Sequence, residues 1–135
     1  MAARVTFDPI VRYRTVNVYD DGSIDPIDFI EAETGDVIVW LMINTTPLTV
    51  QVKLKEFRKY KNNGQPGNIV TPMDFFQDRC TIGPGPNALP GVIAGQLVFL
   101  PPPSAPVLST KYTISVKVDS GGWIDTDPDL DVDRP

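Results

Sequence analysis

The sequence predicts an all-β protein, a Greek-key β-sandwich of about eight strands with a long loop-rich central segment. Three observations lead there. Fourteen prolines and ten glycines in 135 residues interrupt the chain before a 3.6-residue apolar pattern can build up. Between the interruptions, apolar side chains recur at every second position, the period of a half-buried strand. Turn signals such as Asp-Gly and Gly-Asp separate these stretches. The length suits one domain, residues 1–135, and a domain of this size buries about two-thirds of its unfolded surface without needing disulfides.

The first element is VRYRTVNVY (11–19), rich in β-branched and aromatic residues and closed by the turn YDDGS. IDFIEA (27–32) leads through ETGD into DVIVWLMI (36–43). Both alternating sets of this strand are apolar: Val37, Val39, Leu41 and Ile43 on one side, Ile38, Trp40 and Met42 on the other. Such a strand belongs at the centre of a sheet or beneath a further layer. LTVQVKLKE (48–56) has one wet side, with Leu48, Val50, Val52 and Leu54 opposite Thr49, Gln51, Lys53 and Lys55.

From Phe57 to Thr110 the chain reads as loops, among them KNNGQPG, TIGPGPNALPG and FLPPPSAPVLS, around short strands at MDFFQDR (73–79) and GVIAGQLVFL (91–100). PPPSAP reads as a rigid connector, because no basic residues flank it as they would a polyproline ligand. TKYTISVKV (110–118) sets Tyr112, Ile114, Val116 and Val118 inward and Lys111, Thr113, Ser115 and Lys117 outward. After DSGGW, the segment IDTDPDLDVD (124–133) places an aspartate at every second position, and its proline assigns it to a sheet edge or a strand start.

Composition excludes several functions. A net charge of −5 argues against nucleic acid and against anionic membrane as partners. Cys80 is the only cysteine, so no intrachain disulfide or thiolate cluster can form, and a small buried thiol is expected. No histidine is present, which removes the commonest general base and the commonest zinc or copper ligand. MAARVTFDPI has no apolar core of a secretory signal, and the expected location is cytoplasmic, although a processed or recombinant start would read the same.

In their order along the chain, DPIDFIEAETGDVIVW, TPLTVQV and TKYTISVKV resemble the cupredoxin-like superfamily. Gly35-Asp36 and Trp40 match its turn and strand, and Pro47 matches the proline of its Pro-His step. At the positions the resemblance assigns to copper ligands stand Leu48, Ile114 and Lys117. The ending DPDLDV is similar to that of bacterial members that lack the ligands and have no assigned activity. A blue-copper centre needs two imidazoles and a thiolate, so the resemblance implies a copper-free member with no cofactor. Leu48 is in phase with Val50, Val52 and Leu54 and is expected to extend their buried stripe, filling the former site with apolar volume worth about 1.5–3 kcal/mol per buried side chain.

Four candidate sites remain. Asp125, Asp127 and Asp129 mimic the start of a calcium loop, but Leu130 replaces the obligatory glycine and no closing glutamate follows; an aspartate-lined edge strand that resists aggregation is the plainer reading. Lys53, Lys55, Arg58, Lys59 and Lys61 form a basic cluster that could pair with the Asp-rich tail within one molecule, between copies or with another protein. Trp123 follows two glycines, either as a lid on the core or as an exposed anchor or sugar platform. No catalytic arrangement is visible, and GPGPNALPG lacks the lysine of a phosphate loop. The expectation is a non-catalytic domain for protein–protein interaction or a structural role, with self-association included. The alternatives are a small-ligand or carbohydrate module using the end loops and a calcium-binding tail.

Overall fold

The computed structural model describes residues 10–60 and 66–135, and these form eleven strands and no helix. They are β1 (Val11–Val18), β2 (Ile30–Glu33), β3 (Val37–Asn44), β4 (Val50–Tyr60), β5 (Pro66–Val70), β6 (Met73–Gln77), β7 (Arg79–Ile82), β8 (Gly91–Leu97), β9 (Val107–Val118), β10 (Ile124–Thr126) and β11 (Asp129–Asp133). A four-stranded sheet in the order β1-β3-β8-β6 packs on a seven-stranded sheet in the order β2-β11-β9-β4-β5, with β10 on β9 and β7 on β4. The fold is an all-β sandwich. β1 runs parallel to β3 and β2 parallel to β11, while the other pairs are antiparallel.

Alternation places the core between the sheets. Val16 and Val18 of β1, Ile38, Trp40 and Met42 of β3 and Ile93 of β8 face Val50, Val52 and Leu54 of β4, Tyr112, Ile114 and Val116 of β9, and Leu130 and Val132 of β11. Trp40 and Tyr112 join the layers: their ring centroids lie 5.3 Å apart, and the indole nitrogen donates to the phenol oxygen at 3.1 Å. That bond satisfies the one polar atom of each ring that burial would otherwise penalise. Phe57 continues the stack, 5.5 Å from Tyr112 and 6.3 Å from Phe75.

The turns follow the sequence signals. In YDDGS, Gly22 adopts φ +83°, and the Tyr19 and Ser23 backbones close the loop at 2.9 Å. In ETGD, Gly35 sits at φ +98°, a conformation that side chains disfavour. Asp36 beside it is buried, and its carboxylate accepts from the Glu33 nitrogen at 2.9 Å and from the Arg12 guanidinium at 3.1 Å. One acidic side chain therefore ties the β2–β3 turn to β1.

Three expectations require correction. The eight predicted strands divide further, because Asp78 separates β6 from β7 and Asp127-Pro128 separates β10 from β11, and β5 emerges from the central segment. β11 is not an edge strand, since β2 covers it on one side and β9 on the other, but its proline does stand at a strand start, immediately before Asp129. Pro128 costs the sheet nothing there, since it lies in the break between β10 and β11 and its carbonyl accepts from the Tyr112 nitrogen at 2.9 Å. Leu48 is not core. It lies on a bend two residues before β4 and is 39% exposed.

The cause of that last departure is local. Asn44, buried at the end of β3, donates to the carbonyls of Leu48 at 2.6 Å and Gly83 at 2.9 Å and accepts from the Thr46 nitrogen at 2.9 Å. The Thr46 hydroxyl accepts from the Leu48 nitrogen at 3.1 Å. These bonds hold residues 45–48 as a compact bend and turn Leu48 outward before the strand period begins. KNNGQPG lies mostly outside the described residues, as do Lys61 and residues 1–9.

Candidate functional site: the outer faces of the two sheets

The three positions matched to copper ligands do not converge. Ile114 is fully buried in the middle of β9, opposite Leu54. Lys117 points out of the same strand opposite Gln51, on the other face of the sheet. Leu48 projects from the bend beyond Val50, which pairs with Val118, four residues along β9 from Ile114. With no imidazole in the chain and the one thiol on β7, the donors present do not fit copper. Cys80 packs against the core, and burial pushes its thiol up to about 11, which keeps it protonated and unreactive at neutral pH. No group of three or more acidic or thiol side chains able to hold a metal ion occurs among the described residues.

Most of the proposed interaction residues, by contrast, come together. Lys53, Lys55 and Arg58 of β4, Asp125 of β10, Asp129 of β11 and Asp127 between them lie on the outer side of the seven-stranded sheet, joined there by Lys111 and Lys117 of β9. Lys55 bridges Asp125 at 3.1 Å, and Lys111 bridges Asp129 at 3.3 Å. Thr113 donates to Asp127 at 2.7 Å, and the Ser115 hydroxyl donates to Asp125. The Ser115 bond, reinforced by Lys55, holds the Asp125 carboxyl below its ordinary range. Lys59 is exposed at the end of β4.

Trp123 is neither a core lid nor a free platform. It is 40% exposed, and the Lys53 ammonium sits 4.0 Å from its ring centroid, with Lys117 at 6.0 Å. Trp123 lines a small cleft of about 110 Å³ with Lys53, Arg79 and Cys80; a separate shallow cleft of about 280 Å³ opens where β4 bulges and β10 ends, lined by Glu56, Arg58, Lys111, Thr113, Asp125 and Asp127. Arg58 is engaged by Glu56 at 2.9 Å. The groups around the cleft are held by one another, and the aspartates lie along strands rather than wrapped about a point.

Charge on this face is sorted by strand. The side toward β7 and β4 carries Arg79, Lys53, Lys55 and Arg58. The side toward β11 and β2 carries Asp129, Asp131 and Asp133 beside Glu31 and Glu33, with Asp131 in register with Glu31 and Asp133 with Glu33. A hydrogen bond and the charge of Asp133 raise the Glu31 carboxyl above its ordinary range. Burial, followed by the charges of Asp133 and Asp129, raises Asp131.

The outer face of the four-stranded sheet is of the opposite kind. Val37, Val39, Leu41 and Ile43 of β3 point away from the core and are only half-buried. Val11 and Tyr13 of β1 flank them on one side, and Val92 and Ala94 of β8 on the other, in the register Val11↔Val37, Tyr13↔Val39, Val39↔Ala94 and Leu41↔Val92. Tyr13 is 59% exposed. The doubly apolar pattern of β3 reflects its central position between β1 and β8, and none of the described residues forms a further layer over it. The pattern was readable in the sequence. The flanking contributions of β1 and β8 were not, because which strands neighbour β3 is a property of the fold.

No family model matches the chain, and no curated protein matches it. Among solved structures, it is similar to the McoA multicopper oxidase of the hyperthermophile Aquifex aeolicus, at 13% identity and a TM-score of 0.42 over 98% of this chain and 31% of that one. It is also similar to a family 123 glycoside hydrolase from Clostridium perfringens, at 12% identity and a TM-score of 0.37 over 80% of this chain and 22% of that one. The chain thus spans less than a third of each of these proteins.

Proposed function

We propose that this protein is a non-catalytic, copper-free member of the cupredoxin-like group whose role is protein–protein interaction, with a second copy of itself as the partner of the four-stranded sheet. The observation that carries this reading is the apolar outer row of β3 with its flanks on β1 and β8. On a stable isolated sandwich, outward positions are normally polar, as they are on β4 and β9 of the other sheet.

Size sets the strength of the contact. Strands of eight, eight, seven and five residues, about 4.8 Å apart at about 3.3 Å per residue, give a face of about 450 Å². Stacked on its own copy, that face removes about 900 Å² from water, the size of a weak contact rather than an obligate one. Charge does not oppose the contact, since among the described residues the one carboxylate or cation projecting from the face is Asp74 on β6, at its rim. Association in the micromolar range, insensitive to salt, is the behaviour expected of such a patch.

Sedimentation velocity on the full chain tests the proposal. A dimer should form at micromolar concentration and persist at about 0.5 M salt, where charge contacts are screened within about 4–5 Å. At that salt, Leu41→Lys should return the protein to monomer while leaving its circular dichroism unchanged. A wild-type monomer at about 100 μM in high salt would sink the reading.

A further inference from the structure

The charged face invites a second contact. We infer that the outer face of the seven-stranded sheet docks on the same face of another copy, the cationic flank of one over the anionic flank of the other. This contact uses a different surface from the apolar one proposed above and stands or falls independently of it.

Within one molecule the sorting is only partly neutralised. The boundary is satisfied by Lys55–Asp125 and Lys111–Asp129, and on the cationic side Arg58 pairs with Glu56 and Arg79 with Asp78. Beyond it, Lys53 and Lys117 are gathered over the Trp123 ring on one side. Glu31, Glu33, Asp131 and Asp133 stand in register on the other. β4 and β2 are three strand spacings apart in the sheet order, about 14 Å. That exceeds the roughly 8 Å screening length at physiological salt, so the two flanks cannot relieve each other across the sheet.

A second copy removes that constraint. A two-fold axis lying in the face, perpendicular to the line from cations to anions, carries each flank onto its opposite. Both flanks are paired in one operation, and the contact is isologous and closed. The alternative axis, along that line, sets like charge on like and is disfavoured, so the charge pattern selects one geometry. Trp123, 40% exposed and already bearing its two lysines, lies within the buried patch as the aromatic anchor. The acidic ladder gains most, because Asp133 raises Glu31 more than the charge of Arg12 offsets. If both faces engage, copies alternate apolar and charged contacts and stack into linear arrays.

The test separates the two surfaces. In a Leu41→Lys background, with Tyr13→Lys run in parallel to guard against a folding defect, the remaining self-association should weaken at least tenfold between about 0.05 and 0.5 M salt. In that background, Lys53→Glu/Lys117→Glu makes the cationic flank more acidic, and Glu31→Lys/Glu33→Lys makes the anionic flank more basic. Each charge variant alone should be monomeric. Their equimolar mixture should form a heterodimer, because the surfaces are then complementary between chains. Monomers in the mixture, or an association in the Leu41→Lys background that ignores salt, would overturn this contact. Persistence of the wild-type dimer at high salt would in that event still leave the apolar reading in place.

Discussion

The two sheets of this sandwich share a core and present opposite outer faces. The four-stranded sheet shows water a row of valines, Leu41 and Tyr13; the seven-stranded sheet shows it lysines, arginines and a ladder of carboxylates. The apolar face offers area, which acts without regard to salt or pH. The charged face offers pairs worth at most about 1 kcal/mol each when exposed, which set orientation and encounter more than strength. One molecule therefore carries a surface suited to holding and a surface suited to steering.

The largest effect should come from the element both faces depend on. Trp40→Ala removes a fully buried ring that bonds Tyr112 across the core and should cost about 3–5 kcal/mol in urea unfolding. Association through either face should disappear with it. A loss under about 1 kcal/mol would mean that the sheets are not held together at this point.

A smaller effect sharpens the comparison at the crossing between the faces, the bend from β3 to β4. Asn44→Ala strands the Leu48 and Gly83 carbonyls and the Thr46 nitrogen, and should lower stability by about 1–3 kcal/mol. Leu48→Ala, four residues on, should cost under about 1 kcal/mol because its side chain is substantially exposed. The reverse order would show that Leu48 packs inward and that the side-chain bonds of Asn44 are not what shapes the bend.

The smallest effect distinguishes the faces by pH. The folded Glu31 carboxyl is raised by the hydrogen bond and charge of Asp133, so the folded state retains a proton that the unfolded chain releases. Stability from this group is present below the ordinary value of 4.5 and is lost as pH rises through the raised one. Glu31→Gln should therefore melt higher than wild type at about pH 7, and the gap should close below about pH 4. Val39→Ala, on the apolar face, should show no such trend over the same range. A gap for Glu31→Gln that widened toward acid would reverse the assigned sign.

Much of the architecture was legible along the chain. The inward sets of β3, β4 and β9 and the DDGS and ETGD turns follow from period-two alternation and from glycine's tolerance of positive φ. The basic and acidic clusters were visible too, though not their sorting. Lys53 and Asp131 are 78 positions apart in sequence, and only pairing through β9 sets them on one surface. The Asn44 network escaped notice because an asparagine after an apolar run looks like any turn residue until Gly83 arrives from a distant loop.

By itself, the sequence determined which side of each strand is greasy, since that depends only on side-chain chemistry and the two-residue repeat. The tertiary structure decided what those sides meet: that β2 encloses β11, that Leu48 turns to water, and that the apolar row of β3 is widened by β1 and β8. Alternation is a local property of the backbone, whereas strand neighbours are chosen by the whole chain as it minimises exposed apolar surface and unpaired backbone groups. Both proposed contacts depend on that second choice.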